Sequence, residues 1–136
     1  MSKITIKVSI IAPVEKVWEF YTKPEHIVNW NNASKDWHTT KSENDLVVGG
    51  KFLSRMESLD GKHGFDFAGV YTDIEPNRLI KYSLGDRNVE VTFTENNDNT
   101  NVTIIFDPEE INPLEMQQKG WQAILDNFKN YVEKNI

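Results

Sequence analysis

The chain has 136 residues, enough for one compact domain spanning 1–136 with a core of its own. It contains no cysteine, which excludes a disulfide scaffold, thiolate metal sites and a cysteine nucleophile. Lys and Arg number 15 against 21 Asp and Glu, and the net charge of -6 is a poor match for nucleic acid or an anionic membrane, whose binding rests on clustered cations.

At the start of the chain Ile4, Ile6, Val8 and Ile10 alternate with Lys3, Thr5, Lys7 and Ser9. Strict period-two alternation predicts a half-buried strand. No basic region followed by an apolar run precedes it, so no signal peptide is expected. No apolar stretch approaches the ~20 residues that cross a bilayer, so no membrane insertion is expected either, and a cytoplasmic protein is the default. Pro13 suits the first position of a helix, where its missing N–H has no partner to lose. Val14, Val17, Trp18 and Tyr21 then recur at helical spacing. Pro24 opens a second short helix in the same way, with Ile27, Val28 and Trp30 on its apolar side and Asn29, Asn31 and Asn32 to break it.

From Trp37 to about Pro108 the chain reads as strands separated by turns. Gly49-Gly50, Asp60-Gly61, Pro76-Asn77, Gly85-Asp86 and Asn96 to Asn99 are the turn signals. A long helix follows, with Asn112 placed to cap it, Pro113 at its first position and Glu115 where a capping box wants it. Leu114, Gln118, Trp121, Leu125, Phe128 and Val132 form its apolar stripe.

Turn chemistry also predicts the register. A loop at Asp60-Gly61 sets Met56 against Phe65, Ser54 against Phe67, Phe52 against Gly69 and, on the other face, Arg55 against Asp66. A loop centred on Pro76-Asn77 sets Tyr71 against Tyr82. One centred on Asp86-Arg87 sets Tyr82 against Val91. A four-residue loop at Asn96 to Asn99 sets Phe93 against Val102 and Val91 against Ile104. Every turn keeps the large apolar side chains on one face, as an antiparallel meander requires. That face includes Phe52, Ser54, Met56, Phe65, Phe67, Tyr71, Ile80, Tyr82, Leu84, Val89, Val91, Phe93, Val102, Ile104 and Phe106. Six or seven strands at ~4.8 Å spacing make a sheet roughly 30 Å wide. One helix, about 10–12 Å across, cannot cover it flat. The sheet must curl around the long helix, and the two short helices must close an end. The expected class is α+β: a curved antiparallel sheet wrapped around a long C-terminal helix.

The residues also resemble a known family. Ala12-Pro13 with Val17-Trp18, Pro24-Glu25-His26 to Trp30, Val48-Gly49-Gly50-Lys51-Phe52, Asp60-Gly61, Gly69 with Ile74-Glu75-Pro76, Arg78-Leu79, and Gly120-Trp121 with Leu125 run nearly end to end. Their order and spacing are similar to the activator-of-heat-shock-chaperone-ATPase homologues, within the START-like, birch-pollen-allergen-like (SRPBCC) superfamily. The resemblance implies a helix-grip fold, β-α-α-β5/6-α, consistent with the curled sheet above, and members that bind lipids, sterols or polyketide- and flavonoid-like aromatics. It also implies that some relatives act on a heat-shock chaperone, through proteins that carry a further domain. It transfers no catalytic set.

Candidate ligand-binding residues lie between the inner sheet face and the last helix. Trp30, Trp37, Met56, Phe67, Tyr71, Tyr82 and Trp121 offer apolar and aromatic walls. Ser54 sits on the same face. Gln117 and Gln118 lie on or beside the helix stripe, and a buried amide needs partners that a ligand can supply. Gly120 leaves room beside Trp121. The competing reading is that all of these pack a solid core. His26, His38 and His63 show no metal-ligand spacing, Gly49-Gly50 lacks the features of a phosphate loop, Glu109-Glu110 reads as a solvated turn, and no catalytic triad is legible. No metal or cofactor is expected. The leading function is a small intracellular carrier of an apolar molecule. The alternatives are a regulatory partner of a heat-shock chaperone and a cavity enzyme of cyclase or hydrolase type, with Tyr71 and Tyr82 as its proton donors.

Overall fold

The computed structural model describes residues 2–136. Strand β1 (Ile4–Ile10) is followed by helices α1 (Val14–Thr22) and α2 (Pro24–Trp30). Six strands come next: β2 (Trp37–Asn44), β3 (Lys51–Ser58), β4 (Gly64–Glu75), β5 (Leu79–Leu84), β6 (Arg87–Asn96) and β7 (Asn99–Phe106). Helix α3 (Leu114–Asn135) ends the chain. The strands form one antiparallel sheet in the order β1-β7-β6-β5-β4-β3-β2. β1 and β2 are therefore opposite edges, and α1 and α2 carry the chain from one edge to the other. The sheet curls into a half-barrel around α3, the helix-grip arrangement.

Alternation governs the packing. On β7, Thr100, Val102, Ile104 and Phe106 are buried while Asn101 is exposed. β1 and β6 supply Ile4, Ile6, Ile10, Val89, Val91 and Phe93 to the same face. α3 answers with Leu125, Phe128 and Val132. Aromatic rings close the end under α1 and α2. Trp30 lies 5.3 Å from Tyr21 and 4.8 Å from Phe128 between ring centroids, and its Nε1–H donates to the carbonyl of Phe20 at 3.0 Å.

The register at Asp60-Gly61 is as expected: Met56 faces Phe65, Ser54 faces Phe67, and Arg55 faces Asp66 in an exposed ion pair of 3.3 Å. Tyr71 faces Tyr82, but the pairing shifts by one between Tyr71 and Asp73. Such a bulge bends the strand and strengthens its twist. Phe93 faces Val102 and Val91 faces Ile104, although Asn96 and Asn99 pair, so the loop is only Asn97-Asp98.

One expected pairing is wrong. Tyr82 faces Val89, not Val91, and Leu84 pairs with Arg87 across a two-residue turn at Gly85-Asp86. Gly85 has φ +67°, which suits the first position of a type II′ turn. The turn therefore sits one residue earlier, and the strand slips by two. An even slip leaves the faces unchanged.

The start of α3 also differs. Pro113 occupies the cap, and Asn112 makes no capping bond; its side-chain amide donates to Glu109 Oε1 instead. Leu114 and Gln118 are exposed and Gln117 is buried, so the stripe runs through Gln117 rather than Gln118. Phe65 is 51% exposed, because β4 begins beyond the cover of the helix. No helix among the described residues is long and apolar enough to cross a membrane.

Gly69 marks a close approach between strands. A Cβ there would lie 2.5 Å from the carbonyl oxygen of Ser83 and 2.8 Å from the Phe52 ring. Backbone cannot yield as a flexible side chain can. Gly69→Ala is expected to destabilise the fold by about 1–3 kcal/mol, read from the midpoint of urea unfolding. An unchanged midpoint would mean that β4 and β5 are not held this tightly.

Candidate functional site

Between the sheet and the first half of α3 lies a cavity of about 400 Å³. The sheet contributes Met56, Phe67, Tyr82 and Ile104. α3 contributes Gln117, Gly120, Trp121, Ile124 and Leu125, and Tyr21 and Trp30 close the inner end. Asn31, Phe65, Arg87, Glu109, Asn112 and Met116 complete the lining, and the exposed Phe65 and Met116 mark its mouth. Tyr21, Trp30, Asn31, Phe67 and Tyr82 also line a smaller space of about 60 Å³ under β2 to β5. Its other walls include Thr22, Ser42, Asn44, Ser54 and Tyr71.

The walls are held from behind by other rings. Trp121 stacks flat on Phe106, with centroids 3.9 Å apart and planes 11° from parallel. Phe67 meets Trp121 edge-on at 6.1 Å, and Phe52 supports both Phe67 and Tyr82 at 5.8 and 4.8 Å. Gly120 shares its helix face with Gln117 and Ile124, and a Cβ built on it meets nothing within 4 Å.

The expected site residues fall into groups. Trp30, Met56, Phe67, Tyr82, Gln117 and Trp121 line the main cavity. Ser54 and Tyr71 line only the smaller space. Trp37 and Gln118 lie outside both: Trp37 packs on Phe65 at 5.8 Å, and Gln118 points to solvent. Gln117 does not wait for a ligand. Its Nε2 donates to the carbonyls of Glu109 (3.2 Å) and Asn112 (2.8 Å), and its Oε1 accepts from the Glu109 N–H at 2.9 Å. It ties the loop before α3 to the helix. Of the lining, Tyr21, Asn31, Phe65, Arg87, Ile104, Glu109, Asn112, Met116, Ile124 and Leu125 are not among the expected ligand contacts. Arg87 had a legible signal: it continues the inward series Phe93, Val91, Val89 by one more step, but centring the turn on Asp86-Arg87 removed it from the strand.

The smaller space is the polar end. Tyr71 donates its hydroxyl to Asn44 Oδ1, and Asn44 Nδ2 donates to the carbonyl of Thr22. The buried Ser42 hydroxyl has no hydrogen-bond partner among the described residues. Roughly 10–15 Å³ of such volume holds one water, so this space has room for a few. No group of three or more His, Asp or Glu among the described residues is arranged to hold a metal ion.

Burial dominates the chemistry of the three inner phenols. It pushes Tyr21 upward with help from Tyr71, and Tyr71 up to about 12 despite its bond to Asn44. It pushes Tyr82 well above its ordinary value, with Tyr21 and Tyr71 adding to the shift and Arg87 opposing it. Groups so far from neutrality are poor proton donors at neutral pH.

A START-like, helix-grip protein with a cavity under the helix is the class that this geometry defines. The model of the "Activator of Hsp90 ATPase homolog 1-like protein" family, AHSA1, matches residues 11–133, and the chain belongs to that family. An AHSA1-like protein from Aeromonas hydrophila, solved in solution, is 45% identical over 97% of this chain and 92% of its own, with a TM-score of 0.92. A protein from Cytophaga hutchinsonii is 49% identical over 98% of this chain and 93% of its own, with a TM-score of 0.84. A Chromobacterium violaceum protein at 22% identity shares the fold over 98% of this chain and 99% of its own, with a TM-score of 0.87. No curated protein matches the chain.

The raised phenol pKa values predict alkaline sensitivity. Folded phenols keep protons that the unfolded chain gives up near pH 10.0, so their contribution to stability is constant below that pH. It falls as pH rises from 10.0 towards about 12, the range over which Tyr71 stays protonated only when folded. Phenolate absorbance of Tyr21, Tyr71 and Tyr82 is expected to appear together with unfolding. Free titration in the intact fold would show that the phenols are not buried.

Proposed function

We propose that the chain is a carrier or sensor that holds one small apolar, aromatic molecule between the sheet and α3. The observation that carries this reading is the cavity of about 400 Å³ with Trp30, Phe67, Tyr82 and Trp121 in its walls. Sites for small molecules run from about 300 to 1,000 Å³ and are mostly apolar with a few polar groups. A sealed dry void of about 400 Å³ would cost about 10 kcal/mol at ~24 cal/mol per Å³, comparable with the whole stability of a domain. A space this large is explained by contents, water or ligand, rather than by loose packing. Flat ring walls suit a planar guest, which displaces water from apolar surface as it enters.

Contact with a heat-shock chaperone ATPase is the second reading. The family description supports it, and exposed Ile111, Leu114 and Met116 beside the mouth offer an apolar surface for it.

Titration with N-phenyl-1-naphthylamine, a neutral fluorescent aromatic, tests the first reading. The chain is expected to bind it, with amide shifts at Phe67, Tyr82 and Trp121. Gly120→Leu fills the space and is expected to abolish binding. Because it removes a glycine from a helix, its unfolding midpoint should hold or rise, by about 0.5–1 kcal/mol in stability. If no neutral aromatic, flavonoid or fatty-acyl probe titrates the chain, and the chain alters the ATPase rate of a cognate chaperone, the second reading replaces the first.

A further inference from the structure

Strand alternation brings one cation to an apolar face. On β6, Val89, Val91 and Phe93 point under the helix and are buried. Arg87 lies two places before Val89 and continues that face to the end of the sheet. It is half-buried and lines the cavity mouth with Phe65 and Met116. Among the described residues its guanidinium makes no ion pair. The nearby acids are engaged elsewhere. Asp107 holds Lys3 Nζ at 2.6 Å and accepts the Asn88 N–H at 2.8 Å; these bonds, with a smaller pull from the Arg87 charge itself, keep its carboxyl below the usual range. Glu109, the other charged residue on the lining, accepts from the Asn112 N–H at 3.0 Å and from the Asn112 side-chain amide.

A guanidinium is a flat fork of donors that fits a carboxylate or similar oxyanion through two parallel hydrogen bonds. Partial cover by apolar side chains strengthens such a contact relative to bulk water. The chain as a whole carries -6, so its long-range field does not gather anions. Any preference for an anion must arise at Arg87 itself. Resting on the carrier reading and narrowing it, we propose that the cavity takes an amphipathic anion. Its flat apolar body lies among Phe67, Tyr82 and Trp121, and its oxyanion meets Arg87 at the mouth.

Two fluorescent probes separate this proposal from the reading beneath it. N-phenyl-1-naphthylamine and 8-anilinonaphthalene-1-sulfonate share one aromatic skeleton and differ by the sulfonate. The wild-type chain is expected to bind the sulfonate more tightly and to shift the Arg87 Nε–H resonance on binding it. Arg87→Gln is expected to weaken the sulfonate about tenfold or more while leaving the neutral probe within about twofold. Arg87→Lys is expected to recover part of the loss, as a point charge without the fork. An equal urea midpoint for the variants shows that the fold is intact, and Gly120→Leu should remove cavity binding of both probes. If the neutral probe binds and Arg87→Gln changes both probes alike or neither, the anion assignment is wrong and the carrier reading stands. If neither probe titrates the wild-type chain, the anion assignment falls, and the carrier reading falls with it when flavonoid and fatty-acyl probes also fail to bind.

Discussion

Seven strands about 4.8 Å apart present an apolar face roughly 34 Å across, and α3, about 10–12 Å wide with its side chains, covers only a third of it. Everything else in the molecule answers that mismatch. The sheet curls, and the register shifts near Thr40 and Thr72 are places where strands can bend. The chain then crosses from edge to edge through α1 and α2, whose rings plug one end. Under the C-terminal half of α3 the answer is solid packing by Leu125, Phe128 and Val132. Under its N-terminal half there is space.

That space persists because the residues best able to fill it are held elsewhere. Trp121 could swing inward only by giving up its stack on Phe106. Phe67 and Tyr82 are braced by Phe52. Gln117 spends two donors and an acceptor on the loop before the helix, and Gly120 has nothing to contribute. Walls fixed before a guest arrives lose little freedom when it binds, which leaves more of the contact energy as affinity.

Strand order, inner face and helix positions were legible because alternation and turn chemistry are local and mutually consistent. Asp60-Gly61 predicts the register of its hairpin correctly, although β3 ends at Ser58 and β4 begins at Gly64, so the connection is longer than a two-residue loop. At Gly85-Asp86 the same logic placed the turn one residue late, yet the slip of two kept Val89 and Val91 inside. The cost falls on Arg87, which a turn centred on Asp86-Arg87 assigns to the loop and the structure places at the start of β6. Gln117 and Gln118 illustrate a different limit: counting back from Trp121, they lie four and three residues away, both permitted on one helical face. A bond to a loop eight residues earlier in the chain decides between them, and periodicity carries no trace of it. Cavity volume was illegible for a related reason. Alternation says which side chains point inward; how far they reach depends on which ring rests on which.

Stability and accessibility are thereby divided along one helix. The half of α3 that faces α1 and α2 is welded into the core, and its removal would expose the largest buried side chains. The half above the cavity is held by the stacked Trp121, by Gln117 on the preceding loop and by Gln122 on the Lys7 carbonyl of β1, with Leu114 and Met116 already in solvent. Fluctuation is easiest where few apolar contacts would be lost. The mouth therefore lies at the weaker end, beside Phe65 and Met116, and a guest can pass without disturbing Phe128 or Val132. A longer side chain at position 120 would strengthen the helix and close the space beneath it. In this fold the glycine that weakens α3 is also what keeps its underside open.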